Sequence, residues 1–273
     1  MLSAVTPVLL TFNEAPNIGR ALDKLTWARD VVVVDSGSTD QTLDILARYP
    51  NVRRFDRPFD SHHAQWRFAT QETGIATDWL LRLDADYQTP PALVAEIAAL
   101  DPGAPYNAYE AAFDYAMFGR KLVASLYPPK PILLRRGRFS IGDAGHTEGW
   151  RVEAPVGRLR ARIVHDDRKA MAQWVTAQAR YMRRELDKPA QPEGARFADW
   201  LRRHPPLAPV AALIYALLVK RLFLSGGAGV AYALQRATAE AIYSLLYLER
   251  RLGSDGPPDA DPSVARPGPN NAE

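Results

Sequence analysis

The chain of 273 residues has no cysteine. That absence excludes disulfides, zinc–thiolate centres and cysteine nucleophiles, so any metal is held by oxygen or histidine, and a reducing compartment is compatible. Long apolar runs are also missing. The two strongest blocks, 206–219 and 222–234, are split by Lys220-Arg221 and loosened by Gly226, Gly227 and Gly229; the first has 14 residues, against the roughly 20 that span a bilayer. They predict an interfacial or re-entrant helix, with a single kinked span and an ordinary packed helical pair as alternatives. Met1 to Leu10 lacks a basic leader and a long apolar core, so it is expected to be a first strand and not a secretory signal, and the catalytic part is expected to stay cytosolic. Two signatures are absent as well. Phe12-Asn13-Glu14 follows the first strand where a dinucleotide site needs Gly-x-Gly-x-x-Gly, and Gln88 stands where an Asp-x-Asp-x-Thr phosphatase has its threonine.

The sequence is 47% hydrophobic and 24% charged, enough for one sizeable core and an appended subdomain. Its net charge of +3 hides an asymmetry: residues 1–150 carry 15 Lys+Arg against 18 Asp+Glu, whereas 151–251 carry 18 against 9. A surplus of that kind attracts phosphorylated substrates or an anionic membrane surface. The basic residues are interleaved with apolar blocks, which suits a bilayer better than a duplex, so no nucleic-acid partner is expected.

Ala4 to Thr11 and Asp30 to Asp35 are short β-branched runs that end in polar residues, as buried parallel strands do. Between them Pro16 opens a helix with Ile18, Leu22 and Leu25 at helical spacing, and Ser38 with Gln41 spells a capping box for a second helix to about Tyr49. Asn51 to Phe55, Ala64 to Thr73, Asp78 to Leu83 and Pro91 to Leu100 continue the alternation of strand and helix. It predicts an α/β fold of right-handed βαβ units, with ligands at the carboxyl ends of the strands, where Thr11, Asp35 and Asp84 fall. Further on, β-like runs occur at Tyr109 to Phe113, Ile132 to Arg135 and Arg160 to His165. A helical stripe of Met171, Trp174, Val175, Tyr181 and Met182 follows, then a closing helix from Ala237 to Leu252. Beyond Gly253 the Pro/Gly-rich tail is expected to be disordered.

The apolar run Leu80 to Leu83 ends in Asp84-Ala85-Asp86. A strand that feeds Asp-x-Asp into a loop places two anionic oxygen donors at the sheet edge, where a hard divalent cation and a diphosphate can be held together. Without a cation the two carboxylates repel the diphosphate.

Thr11-Phe12-Asn13-Glu14, then Val33-Val34-Asp35-Ser36-Gly37-Ser38-Thr39-Asp40, then Gln65 and Arg67, then Leu83-Asp84-Ala85-Asp86, form an ordered series that resembles glycosyltransferase family 2, with its GT-A fold. Phe118-Gly119-Arg120, Tyr127-Pro128, Leu134-Arg135-Arg136, His146 to Glu148, His165 and Phe223-Leu224 look closest to the branch of lipopolysaccharide core β-1,4-glucosyltransferases. The sequence departs from that branch at Tyr87-Gln88, where Glu-Arg is expected, and at Ser225, where Asp is expected.

The resemblance implies a GT-A, Rossmann-like, mostly parallel sheet flanked by helices over residues 1–166, with a nucleotide-sugar half (1–100) and an acceptor half (101–166). A basic helical, membrane-associating extension covers 167–252 and a disordered tail 253–273. Thr11, Asn13, Glu14, Asp35 and Ser36 are expected to read the nucleoside, with Gln65 on sugar or ribose and Arg67 on the diphosphate. Asp84 is expected to face ribose and donor sugar, and Asp86 to bind Mg²⁺ or Mn²⁺ with His165 as a further ligand. Displacement with inversion needs a carboxylate to take the acceptor's proton; Glu148 is the candidate, Asp143 the runner-up. The implied activity is metal-dependent transfer of a hexose, glucose from UDP-glucose, to a glycolipid or lipid-linked acceptor at the cytoplasmic face of the inner membrane. Transfer to polyprenyl phosphate and a non-catalytic binding protein of the same fold are the alternatives.

Overall fold

The computed structural model describes residues 1–144, 147–187, 201–202, 204–205 and 207–253; the side chains of 143–148 are not among them. Residues 254–273, and with them the expected tail, lie outside this set.

Four parallel strands make the centre: β1 (Val5–Thr11), β2 (Val31–Asp35), β3 (Val52–Asp56) and β4 (Trp79–Asp84), in the order β3-β2-β1-β4. The four valines 31–34 are wholly buried because helices cover both faces, which is why the run does not alternate with polar residues. Leu9, Val31, Val33 and Leu81 pack towards α1 (Ile18–Leu22), α2 (Thr42–Leu46) and α4 (Pro91–Ala99). Val8, Val32, Val34 and Leu80 face α3 (His62–Gln71) through Trp66 and Ala69. One short strand, β5 (Tyr87–Gln88), directly follows β4.

Beyond β4 the sheet continues with β9 (Lys130–Arg135), β6 (Ala108–Ala111) and β12 (Val156–Arg158); β9 is antiparallel to both neighbours, and the rest run one way. The expected strand Tyr109 to Phe113 is two strands. β6 stays in the main sheet, while β7 (Phe113–Met117) turns into a second sheet, β5-β13-β7-β8, with β13 (Ile163–His165) and β8 (Arg120–Lys121). A separate hairpin of β10 (Phe139–Ala144) and β11 (Thr147–Val152) sets Asp143 opposite Glu148 in register.

The C-terminal part is helical: α5 (Met171–Leu186), then α6 (Leu207–Ile214) continued by a π-helical stretch Tyr215–Val219, then α7 (Gly226–Leu252). The stripe on α5 is not core, since Met171, Val175 and Tyr181 are exposed. The expected break between a glycine-loosened block and a closing helix does not occur, because α7 is one helix of 27 residues that starts at Gly226. Gly229 serves close packing there: a Cβ would lie 1.8 Å from the Leu222 carbonyl oxygen. Met117 of β7 and Leu122, just past β8, join Ala216, Leu222, Ala228 and Tyr232 in a shared apolar cluster, which fastens the helices to the second sheet. Among the described residues no single helix is long and apolar enough to cross a membrane; the pair Leu207–Val219 and Leu222–Leu252, bent by 72°, passes by length and composition together.

Candidate active site

The carboxyl ends of β1 and β2 meet at Asp35, whose carboxylate is 1% exposed. Thr11 and Ser38 hydroxyls donate to its Oδ2 at 2.9 and 2.5 Å, and the Gly37 and Ser38 N–H groups donate to Oδ1 at 3.0 and 2.8 Å. Ser38 is consumed by this network, since its Oγ also accepts from the Asn13 N–H at 2.8 Å. The expected capping box is therefore absent. Asp40 Oδ1 accepts from the Thr42 N–H at 2.9 Å instead. Asn13 adopts a left-handed φ of 53° and turns its Oδ1 to the Thr39 N–H at 2.8 Å. Gln65 is buried on α3 and donates to Ser36 Oγ at 2.8 Å and to the Arg57 carbonyl at 2.9 Å, while its Oε1 accepts from Arg57 at 2.6 Å. The structure thus brings Thr11, Asn13, Asp35, Ser36 and Gln65 into one hydrogen-bonded loop system. Arg67, one helical face away, is exposed.

β4 delivers the acidic pair. Burial alone would raise the Asp84 pKa, but Arg82, Lys130, the Tyr87 hydroxyl and His165 hold it below the usual carboxylate range. Asp86 Oδ2 lies 2.9 Å from His165 Nε2, both side chains being largely buried. Burial would lower the His165 pKa, yet Asp86, and behind it Asp84 and Asp167, raise it above the ordinary value. Three tyrosines enclose the imidazole, with ring centroids 5.1 Å (Tyr87), 4.6 Å (Tyr115) and 5.0 Å (Tyr127) away. Tyr115 in turn packs on Tyr232 of α7 at 4.5 Å. His165 Nδ1 is buried with no hydrogen-bond partner among the described residues.

The segment after β13 closes the site from the other side. Lys169 Nζ donates to Glu14 Oε1 at 2.6 Å, and Asn17 Nδ2 donates both to Glu14 Oε2 and to Asp167 Oδ1 at 2.8 Å. Arg20 and Arg168 both pair with Asp166. Burial, reinforced by Asp86 and opposed by Lys169 and Asn17, pushes the Glu14 carboxyl up to about 7. Sequence reasoning missed Asn17, Arg20, Asp166, Lys169 and the tyrosine enclosure. The polar run Asp166-Asp167-Arg168-Lys169 directly after a strand was the available signal. Glu148 and Asp143 have described backbone on facing strands, but their side chains, like all of His146, lie outside the described residues.

A buried hydrogen-bonded loop, an acidic pair and an imidazole at one sheet edge can hold a polar ligand and a cation together. Residues 7–120 match the family model described as glycosyl transferase family 2. An "Uncharacterized glycosyltransferase" of Rickettsia bellii (strain RML369-C) is 36% identical over 94 residues, 34% of this chain and 31% of the relative. A "Lipopolysaccharide core biosynthesis glycosyltransferase LpsC" of Rhizobium meliloti (strain 1021) is 28% identical over 89 residues, 31% of this chain and 32% of the relative. The solved structure of S. aureus TarS 1-349 in complex with UDP-GlcNAc aligns over 91% of this chain and 92% of that one, at 16% identity and a TM-score of 0.48. The chain spans about a third of the length of the curated relatives it matches.

Proposed function

We propose, with residues 7–120 taken as a glycosyltransferase family 2 segment, that this chain is an inverting, nucleotide-sugar-dependent glycosyltransferase. It moves a hexose, glucose from UDP-glucose, onto a glycolipid acceptor such as lipopolysaccharide core. The observation that carries the reading is the delivery of Asp84 and Asp86 by β4 to the same edge as Thr11 and Asp35, with Asp86 in contact with His165. The Rhizobium relative, named for lipopolysaccharide core biosynthesis, supports the acceptor class.

Asp86 and His165 fit a Mg²⁺ or Mn²⁺ ion. They offer one carboxylate and one imidazole nitrogen, Nε2, 2.9 Å apart, and no cluster of three such ligands occurs among the described residues. That is the donor set of a cation that completes its shell with substrate phosphates and water. When bound, the ion offsets charge on the departing nucleoside diphosphate. The loop built on Asp35 supplies a rigid seat for the nucleoside, because its donors and acceptors are already fixed. Glu148, with Asp143 opposite, takes the proton from the acceptor hydroxyl as that oxygen attacks the anomeric carbon and the bond to the diphosphate breaks.

The exposed apolar residues of the helical part, among them Ile214, Leu218, Val219, Phe223 and Leu224, lie beside Lys220 and Arg221. They support docking to an anionic bilayer, on the cytoplasmic face of the inner membrane, by a helix pair that lies in the interface. Calorimetric titration with UDP-sugars, with and without Mn²⁺, tests the whole: binding is expected to require Mn²⁺ and to weaken by about 10- to 100-fold in Asp86→Ala. Equal binding by the variant, or none by the wild type, refutes the reading.

A further inference from the structure

Asn17 stands at the N-terminus of α1, where an asparagine ordinarily caps the free N–H groups of the first turn, yet its side chain makes no capping hydrogen bond. It is turned inward and is 1% exposed. Its Nδ2 donates to Glu14 Oε2 and to Asp167 Oδ1, each at 2.8 Å, and its Oδ1 accepts from the Arg168 N–H at 2.8 Å. Two carboxylates on one side and an amide N–H on the other fix which way the side chain faces. They also fix the residue type. Aspartate has the same shape but would set a third carboxylate against two, and serine has only one donor.

The ladder of β13 ends at His165, opposite Tyr87 of β5 and Tyr115 of β7. Past it the Asp166 N–H still reaches the Asp86 carbonyl at 3.1 Å. From there on, side chains of the nucleotide half hold the backbone: Arg20 on Asp166, Asn17 on Asp167 and Arg168, Glu14 on Lys169. The Arg20 and Lys169 side chains are 31% and 27% exposed, so water screens those pairs and can take a lost partner's place. Asn17 is the most deeply buried member of the set, and its bonds are the ones water does not replace. Resting on the reading of Asp86 and His165 as the seat of a cation, we propose that Asn17 is a positioning residue for that seat. By pinning residues 167 and 168 to the first turn of α1, it keeps His165 Nε2 within reach of Asp86 Oδ2. One amide thereby fastens the metal ligands to the nucleoside loop, because the Glu14 that it also holds is bound into that loop through its N–H on Thr42 Oγ1.

The test is a titration of the full chain with Mn²⁺ in the presence of UDP, followed by loss of the free ion's paramagnetic resonance signal. Asn17→Ala is expected to bind Mn²⁺ about 10- to 100-fold more weakly than the wild type. Asn51, just before β3 at the amino end of the sheet, also donates twice, to the Leu25 and Ala28 carbonyls. Asn51→Ala therefore loses a comparable structural amide, yet is expected to hold Mn²⁺ within about twofold of the wild type. Asp167→Asn and Asp167→Ala remove the same charge, but only asparagine keeps an oxygen for Asn17 to donate to. The first is expected to bind Mn²⁺ about three- to tenfold more tightly than the second, whether or not Asn17→Ala folds. In metal-free protein, amide hydrogen exchange over residues 166–169 is expected to quicken at least about tenfold in Asn17→Ala and to stay unchanged in Asn51→Ala. Wild-type Mn²⁺ affinity in Asn17→Ala, an equal loss in Asn51→Ala, or no difference between the two Asp167 variants overturns the assignment. A wild type that takes up no Mn²⁺, with exchange still quickened by Asn17→Ala, keeps the pin and overturns the metal-dependent reading.

Discussion

Replacing Glu14 with glutamine removes a titration that the fold has moved into the neutral range. The carboxyl is 14% exposed and accepts from Lys169 and Asn17. Burial lifts its pKa from 4.5 to about 7. A carboxyl raised on folding binds more protons in the native state than in the unfolded state between those two values. Stability therefore falls as pH rises from about 4.5 to about 7, and this group contributes no slope outside that window. At about 1.36 kcal/mol per pH unit, the displacement amounts to ~3 kcal/mol. Urea unfolding of wild type and Glu14→Gln near pH 4.5 and near pH 8 yields four free energies, and their double difference isolates this carboxyl because other titrations, His165 included, are common to both proteins. The wild type is expected to lose about 3 kcal/mol more than the variant across the interval. Equal losses would show that Lys169 keeps Glu14 ionised throughout, and would refute the reasoning.

Asp35→Ala removes the acceptor for four hydrogen bonds at a buried position, leaving two hydroxyls and two amides to find others. Urea unfolding is expected to show a loss of about 3–5 kcal/mol, and a loss below about 1 kcal/mol would mean that the loop rearranges freely. The double variant Leu218→Glu with Leu224→Glu sets two carboxylates on the apolar helical face. It is expected to abolish cosedimentation with vesicles that contain anionic lipid while UDP binding persists, and undiminished cosedimentation would remove the bilayer from the proposed function.

The parts of the fold legible in the sequence are those set by local pattern. Val31 to Val34 announce a strand covered on both faces, and Leu80 to Asp86 a strand that runs out into acid, because burial and its termination are written within a few residues. Ala112 shows the limit: Tyr109 to Phe113 reads as one β run, yet the chain changes sheets at that residue, a choice made by partners far away in sequence. The Ser38-Gln41 pair spells a cap, but a buried carboxylate three residues upstream competes for the hydroxyl and wins. In the site, residues at strand ends were legible by position. Lys169 was not, since nothing near Glu14 in the chain marks a partner 155 residues on, and the tyrosines around His165 come from β5, β7 and the loop before β9.

The rings of Tyr232, Tyr115 and His165 form an unbroken line from the long C-terminal helix to the imidazole. With its helices laid on a bilayer as proposed above, the reacting centre has no independent elevation: it rides at whatever height and tilt the lipid imposes on α7. For the glycolipid acceptor proposed above, choice among hydroxyls is then partly a matter of altitude, with stereochemistry deciding only among those groups that reach the right level above the headgroups.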